Sequence, residues 1–316
     1  MSFSSLPHRT TDDRQLCILN FVQRALRSVS VEETGSKNEL GDKQLIADIE
    51  AERIVRNALQ SCPAVAVISS EEAPRDIVLH ESGDSNYSVA YDPLDGSSII
   101  GANWAVGSIF GVWPREHRTG KTHFVGRPGR DQVAAAYAVY GPRTSLIVAR
   151  PSMPEGTVPF PGGYVVQEFT LLENSWILKA DAIQIPQTKK IFAPANLRAA
   201  KENAAYAELI QKWIGDQYTL RYSGGLVPDT HHILCKGGGV FCNPDSASAP
   251  AKLRMLYECM PLAFIVEAAG GCAGTNIEGH YQAVLDTVLQ SHDHRSTICL
   301  GSKQEVEKCA SAMSSS

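Results

Sequence analysis

The sequence predicts an α/β fold in two parts. Two stretches near the N-terminus, 14–28 and 43–60, repeat apolar residues at helical spacing. Short runs of strand character then follow one another closely up to about residue 180. From about 188 helical periods alternate with short strands, the pattern of layered α/β structure. The boundary is placed between residues 187 and 188, giving segments 1–187 and 188–316.

Each element carries its own signal. The first helix rests on Leu16, Leu19, Phe21, Val22, Leu26 and Val29, the second on Leu45, Ile46, Ile49, Ile54, Val55 and Leu59. Asp42 stands where the second helix would take its N-cap. AVAVI (64–68) and YSVAY (87–91) read as buried strands. The runs AVGSIFGVW, AAAYAVYG, TSLIVAR and QEFTLLENSWIL follow, the last with Glu173-Asn174 at a hairpin turn. The Pro/Gly-rich stretch 151–163 reads as a loop. In the second part, helical periods at 197–214, 252–269 and 303–312 are interleaved with the strand runs TLRYS, GVFCN and STICLGS.

Composition removes several functions. Of 316 residues, 43% are hydrophobic and 20% charged, as in globular proteins, and a net charge of −5 offers no general attraction to nucleic acid or anionic membrane. No apolar run reaches the roughly 18–20 residues of a membrane span. Eight scattered cysteines (17, 62, 235, 242, 259, 272, 299 and 309) suit reduced thiols in an intracellular protein. Cys235 and Cys242 in CKGGGVFC could meet across a turn, but without CxxC spacing ordinary thiols are expected. MSFSSLPHRTTDDRQ lacks the basic start and apolar stretch of a secretory signal, and the C-terminal SSS is no recognised address. A cytoplasmic location is expected, with a plastid or other organelle left open where a transit segment has been removed.

The chemistry concentrates in two acidic clusters. Glu71-Glu72 follows the first buried strand, and DPLDGSS (92–98) follows the second. Carboxylates at neighbouring strand ends repel unless a positive charge sits among them, and neither motif holds Lys or Arg. Hard divalent cations take such oxygen donors, whereas the lack of His and Cys argues against zinc. Taken alone, DPLDG would be an ordinary Asp-Pro, Asp-Gly turn. Gly96-Ser97-Ser98 before Ile99-Ile100 fits a helix start, whose free N–H groups suit phosphate. Metal carboxylates beside a phosphate cradle describe metal-assisted phosphoryl hydrolysis. A rival, a phosphatase forming an aspartyl-phosphate, needs its aspartates two apart rather than three and leaves Glu71-Glu72 unexplained.

Basic residues gather later. Arg221 and Tyr222 precede Gly224-Gly225, and Lys252 and Arg254 precede Glu258. Arg254 and Glu258 would form a surface i,i+4 ion pair on a helix exposed to solvent. If that helix begins at the cleft, Glu258 adds a metal carboxylate and the two cations hold a distal phosphate. The substrate would then carry two phosphates.

The ordered set GDKQLIAD, SEE, DPLDGSS, GRDQVAAAYAVYGPRT, RYSGG and KLRMLYE resembles the fructose-1,6-bisphosphatase superfamily of Mg²⁺-dependent sugar bisphosphatases, over about residues 40–302. GPRT, RYSGGLVPD and NLRA are most similar to its branch acting on the seven-carbon sugar sedoheptulose 1,7-bisphosphate. The resemblance implies a layered α-β-α-β-α sugar-phosphatase fold and a homodimer or homotetramer. It implies an N-terminal metal-site domain (1–187), a C-terminal substrate-binding domain (188–316) and hydrolysis of the 1-phosphate by metal-activated water. Mg²⁺, or Mn²⁺ in its place, would be held by Glu71, Asp92, the Leu94 carbonyl, Asp95 and Glu258. Asp42, Asp48 and Glu72 would orient and deprotonate the attacking water. Spacing alone does not show this, because Asp42 and Asp48 would diverge on one helix. Substrate contacts carried over are Asp95, Gly96, Ser97, Ser98, Asn196, Tyr222, Gly224, Gly225, Leu226, Asn243, Lys252 and Arg254, with Arg221 reaching the neighbouring subunit's site.

Departures from the family are informative. Fructose-1,6-bisphosphatases place tyrosines where this chain has Asn243 and Ala199, so more room for a longer sugar is expected. SVSVEETGSKNEL departs from their N-terminal nucleotide site, and Asn86-Tyr87 stands where they carry Lys-Tyr. The CxxxxC pair of plant relatives is missing, so thioredoxin control is not expected. Alternatives are a fructose-1,6-bisphosphatase, a dual-specificity bisphosphatase and a catalytically inactive phosphosugar-binding protein.

Overall fold

A computed structural model describes residues 33–37, 43–81, 85–115, 123–152, 161–173, 175–277 and 279–314, with side chains between 46 and 313. The helix expected over 14–28, Asp42 and most of the 151–163 loop lie outside these residues.

A two-stranded ribbon of β1 (Glu33–Lys37) and β2 (Lys43–Leu45) leads into helix α1 (Ile46–Gln60). The helix thus starts three residues later than the periodicity suggested, because Lys43–Leu45 pairs with β1 instead. An eight-stranded sheet follows: β3 (Val65–Ser70), β4 (Ile77–Val78), β5 (Tyr87–Asp95), β6 (Val106–Pro114), β7 (Ala134–Tyr140), β8 (Thr144–Pro151), β9 (Tyr164–Leu172) and β10 (Ser175–Ala180). Its order is β10-β9-β8-β7-β6-β5-β3-β4, and only β3 and β5 run parallel. From β5 to β10 the strands pair in chain order as an antiparallel meander; only a few residues separate β7 from β8 and β9 from β10, while longer segments join the others. Val55 and Leu59 of α1 cover one face, packing on Ile68, Val89, Tyr91 and Phe110.

The second sheet is built from β11 (Ile191–Pro194), β12 (Thr219–Leu220), β13 (Val240–Asn243), β15 (Cys272–Ile277), β16 (His280–Ala283) and β18 (Ile298–Gly301). Its order is β12-β11-β13-β18-β15-β16, parallel only at β11-β12 and β11-β13. A small ribbon pairs β14 (Leu253–Arg254) with β17 (Arg295–Ser296). Helices α4 (Leu226–Lys236) and α5 (Met260–Ala268) fill the space between the sheets. Eight of nine α5 residues are buried, which a helix pressed from both sides requires. Helices α3 (Ala204–Gly215), α6 (Lys303–Glu307) and α7 (Ala310–Ser314) cover the far face through Tyr206, Trp213, Val306 and Met313. The layers are α1, sheet, α4 with α5, sheet, and the outer helices. This is the α-β-α-β-α arrangement expected.

The strand runs expected up to β10 are all present, while TLRYS contributes only Thr219–Leu220 before leaving the sheet. Helix α4 had no counterpart in the periodicity reading; LVPDTHHILCK mixes polar residues into an element whose Leu226, Val227, Ile233 and Leu234 are buried. One hydrophobic cluster joins both sheets through α4 and α5. Among the described residues no helix is long and apolar enough to cross a membrane.

Candidate active site

The Asp92-Pro93-Leu94-Asp95 segment is a β-bulge. In the pairing of β5 with β6, Asp92 faces Ile109 and Asp95 faces Gly107, so three steps on one strand match two on the other. Residues three apart on a regular strand point to opposite faces. The extra residue cancels that alternation and lets both aspartates serve one side. Pro93, which has no N–H, sits in the bulge, and its carbonyl accepts the Ser108 hydroxyl at 2.7 Å. Asp92 Oδ1 accepts the Leu94 N–H at 2.8 Å. Gly96 then takes φ 87°, a left-handed turn into the single-turn helix α2 (Ser97–Ile100); with this helix introduced, the order along the chain is α1 to α7.

Asp95 reaches across the molecule. Its Oδ2 accepts the Val227 N–H at 2.7 Å and its Oδ1 the Leu226 N–H at 3.3 Å, both at the free N-terminus of α4. The helix can approach this closely because β6 has Gly107 there; a Cβ on Gly107 would lie 2.4 Å from Val227 Cγ1.

Glu258 arrives from the second half of the chain. It lies on a π-helical turn, Met255–Cys259, between β14 and α5, with the Met260 N–H bonded to Met255 O. Glu258 folds back onto the backbone N–H of Arg254. The pair considered from sequence at the surface is thus buried, with Glu258 capping the Arg254 backbone N–H. The Arg254 guanidinium meets Asp293 at 3.1 Å and the Lys252 carbonyl at 2.9 Å.

One carboxylate oxygen each from Glu71, Asp92 and Glu258 lie within 4.8 Å of one another, with Asp92 and Glu258 buried. Burial first, then the charges of Glu71, Asp95 and Glu258, push the Asp92 carboxyl well above its usual range. Glu258 is raised by burial and then by Glu71. Asp95 is pushed up to about 6 by burial, against the Val227 and Leu226 N–H groups. Such a set stores repulsion that a divalent cation relieves, and an all-oxygen donor set at this spacing suits Mg²⁺ or Mn²⁺ better than zinc.

The remaining candidates lie on several elements of both halves. Asp48, in the first turn of α1, is 4% exposed, and its neighbours Ala47 and Ala51 pack on Leu94. That places the start of α1 beside the bulge, where an exposed helical aspartate had been the plain alternative. Glu72 is half-buried beyond β3, its N–H on Ser70 Oγ at 3.2 Å. Asn196, at φ 47°, gives its amide to the Pro244 and Ala249 carbonyls at 2.8 and 3.0 Å, while its buried Oδ1 finds no hydrogen-bond partner. Asn243 ends β13. Ser98 and Lys252 are exposed. Arg221 and Tyr222 are exposed along a cleft of about 830 Å³ that also exposes Arg143 and Lys179. Ala199 does not widen any pocket: it is fully buried in the cluster with Tyr206 and Trp213. The expectation of sugar room at Ala199 is corrected by that packing. Cys242 is buried on β13 and Cys235 exposed on α4, both free, so CKGGGVFC holds no disulfide.

Two contributors escaped the sequence reading. Asp229 accepts the Ser223 and Gly224 N–H groups at 2.7 and 3.3 Å and so shapes RYSGG. Val227, whose amide holds Asp95 beside that of the expected contact Leu226, is the other. Asp229 stood six residues after Ser223 in RYSGGLVPD, but only knowledge of the turn into α4 reveals the bond.

The profile described as Fructose-1-6-bisphosphatase, N-terminal domain, matches residues 15–172, and that of the C-terminal domain matches 185–314. The chain is 40% identical to the chloroplastic sedoheptulose-1,7-bisphosphatase of Spinacia oleracea over 309 residues, 95% of this chain and 74% of that protein. It is 38% identical to the class 1 fructose-1,6-bisphosphatase of Syntrophotalea carbinolica, over 91% of this chain and 83% of that one. A crystal structure from Toxoplasma gondii, provisionally described as a sedoheptulose-1,7 bisphosphatase, superposes with a TM-score of 0.85 at 40% identity, covering 98% of this chain and 96% of that one. Leishmania major fructose-1,6-bisphosphatase in its holo form gives 0.82 at 31%, over 95% and 92%. Both halves of the chain thus match one family, and the chain belongs to the fructose-1,6-bisphosphatase family.

Proposed function

We propose that this chain is a phosphoric monoester hydrolase that removes the 1-phosphate of sedoheptulose 1,7-bisphosphate, yielding sedoheptulose 7-phosphate and phosphate with Mg²⁺ or Mn²⁺. The observation that carries the reading is the convergence of Glu71, Asp92 and Glu258 within 4.8 Å. Glu71, Asp92, Asp95, Glu258 and the Leu94 carbonyl would hold the cation, which when bound neutralises them and polarises phosphoryl oxygen and water. Asp48 and Glu72, with Asp42 outside the described residues, orient water and take its proton. Gly96, Ser97 and Ser98 donate to the 1-phosphate. Asn196 presents Oδ1 to a sugar hydroxyl, while Tyr222, Gly224, Gly225, Leu226 and Asn243 line the sugar. Lys252 and Arg254 face the distal phosphate, Arg254 being held by Asp293 at 3.1 Å.

We assign the metal site mainly to 1–187 and substrate binding mainly to 188–316, although Glu258 crosses that division. Arg221, exposed at the cleft rim, suits a contact with a second subunit in a homodimer or homotetramer. The compartment is cytoplasmic or, by the names of plant relatives, a plastid.

With Ala199 buried, the seven-carbon preference rests on Asn243 and on the relatives' names. A shape difference of this size is worth about 1–3 kcal/mol, or roughly 10- to 200-fold. The decisive experiment measures phosphate release with and without Mg²⁺ across a panel of sugar bisphosphates. A higher kcat/KM for fructose 1,6-bisphosphate would favour the six-carbon reading; no release from any sugar bisphosphate would leave a binding protein. Reaction in heavy-oxygen water should label the phosphate, and a trapped phospho-aspartate at Asp92 would restore the covalent mechanism.

A further inference from the structure

We propose a second metal site, selective for zinc-class cations, formed by Glu168 on β9 with His231 and Cys235 on α4. A ligand atom from each of the three lies within 4.8 Å of the other two. His231 and Cys235, four apart, share one helical face. The Cys235 Sγ is 3.3 Å from His231 Nε2 and 3.9 Å from the Glu168 carboxylate. Ordinary zinc bonds of about 2.3 Å to sulfur and 2.0–2.2 Å to nitrogen or oxygen, at tetrahedral angles, separate such ligand atoms by about 3.6 Å. Two edges of a tetrahedron are therefore present already, and the exposed side at Cys235 leaves a fourth position for water.

The outer contacts are those a metal site needs. His231 Nδ1 meets the buried Tyr137 hydroxyl at 3.2 Å, which leaves Nε2 toward the thiol and carboxylate. Glu168 is 4% exposed; its Oε1 takes Lys179 at 2.9 Å, Arg143 at 3.2 Å and Ser145 at 3.3 Å, leaving Oε2 toward Cys235. Burial pushes His231 down to about 4, so it stays neutral, the form that ligates. Burial pushes the Cys235 thiol up to about 11, so its proton leaves as the cation enters. Arg143 and Lys179 balance the charges of Glu168 and the thiolate, and both are half-exposed, where solvent screens their repulsion of the cation. Sulfur and imidazole together disfavour Mg²⁺. The site differs in donor chemistry from the all-oxygen cluster of Glu71, Asp92 and Glu258. A cation here ties the middle of α4 to β9, and the first turn of α4 holds Asp95.

Cobalt(II) titration of the metal-free full chain tests this. Wild type should develop a thiolate-to-cobalt charge-transfer band, and zinc should displace it. C235S should lose the band and H231A should weaken cobalt binding at least tenfold, while both keep Mg²⁺-dependent phosphate release. Zinc should also raise Tm in wild type and not in C235S. No charge-transfer band in wild type, or an unchanged band in C235S, overturns the site. Zinc binding that disappears in E258Q and persists in C235S assigns the ion to the oxygen cluster and overturns it equally.

Discussion

Asp95 Oδ2 accepts the backbone N–H of Val227 at 2.7 Å, joining residues 132 apart in the chain. One carboxylate thus belongs to the acidic bulge and also caps the helix that leads out of RYSGG. Asp95→Asn removes its charge and turns an amide toward those N–H groups. The expected loss in kcat is at least about 10²-fold, the scale of one strong electrostatic group. Near-normal turnover by a folded variant would show that Asp95 serves only as a helix cap.

Glu258→Gln keeps an acceptor for the Arg254 N–H and removes one of three crowded negative charges. Metal-free protein should become more stable, because repulsion among buried carboxylates is relieved. The Mg²⁺-dependent rise in Tm should shrink, and kcat should fall at least about 10²-fold. Thermal melts with and without Mg²⁺ check this, and an undiminished Mg²⁺ effect would remove Glu258 from the cation.

At Gly107 the space is already taken. A Cβ there meets Val227 Cγ1 at 2.4 Å and Ala138 O at 2.6 Å. Gly107→Ala should cost about 1–3 kcal/mol of stability, as overpacking does. It should also displace α4 from Asp95 and lower activity. Urea unfolding and phosphate release together read both effects; wild-type values for both would mean that the helix lies farther from β6.

Glu267 on α5 gives a pH signature away from the site. Burial pushes its carboxyl up to about 7 despite Arg130, from an ordinary 4.5. As pH rises from 4.5 the unfolded chain releases this proton first, so ionisation disfavours folding increasingly until about pH 7. The full effect is at most about 3 kcal/mol. Relative to Glu267→Gln, the wild type should lose stability between pH 5 and 8, measured by urea unfolding at each pH. A constant difference would contradict the raised value.

The fold was legible where local pattern dominates. The runs from AVAVI to SWIL became β3 and β5 to β10, because each carries its own apolar pattern and from β5 onward strands consecutive in the chain pair with one another. Ile46–Gln60 kept its amphipathic face against the sheet. Helix α4 was hidden because LVPDTHHILCK serves the core, the RYSGG turn and a polar cleft at once, and its period is broken accordingly. Ala199 misled because the chemistry of a small residue says nothing about whether a cleft or a core surrounds it.

By itself the sequence determined the order of the motifs, the oxygen-only donor chemistry of Glu71, Asp92 and Asp95, and with these the family. Only the tertiary structure decided which carboxylates share a point. Asp92 and Asp95 come to one side through a bulge defined by the partner strand β6. Glu258 joins Glu71 and Asp92 through a π-helical turn 163 residues after Asp95, whose own carboxylate turns to the N-terminus of α4. The Arg254 guanidinium pairs with Asp293, 39 residues beyond it. Register, bulges and packing of distant segments arise from contacts between strands and helices, and no local spacing contains them.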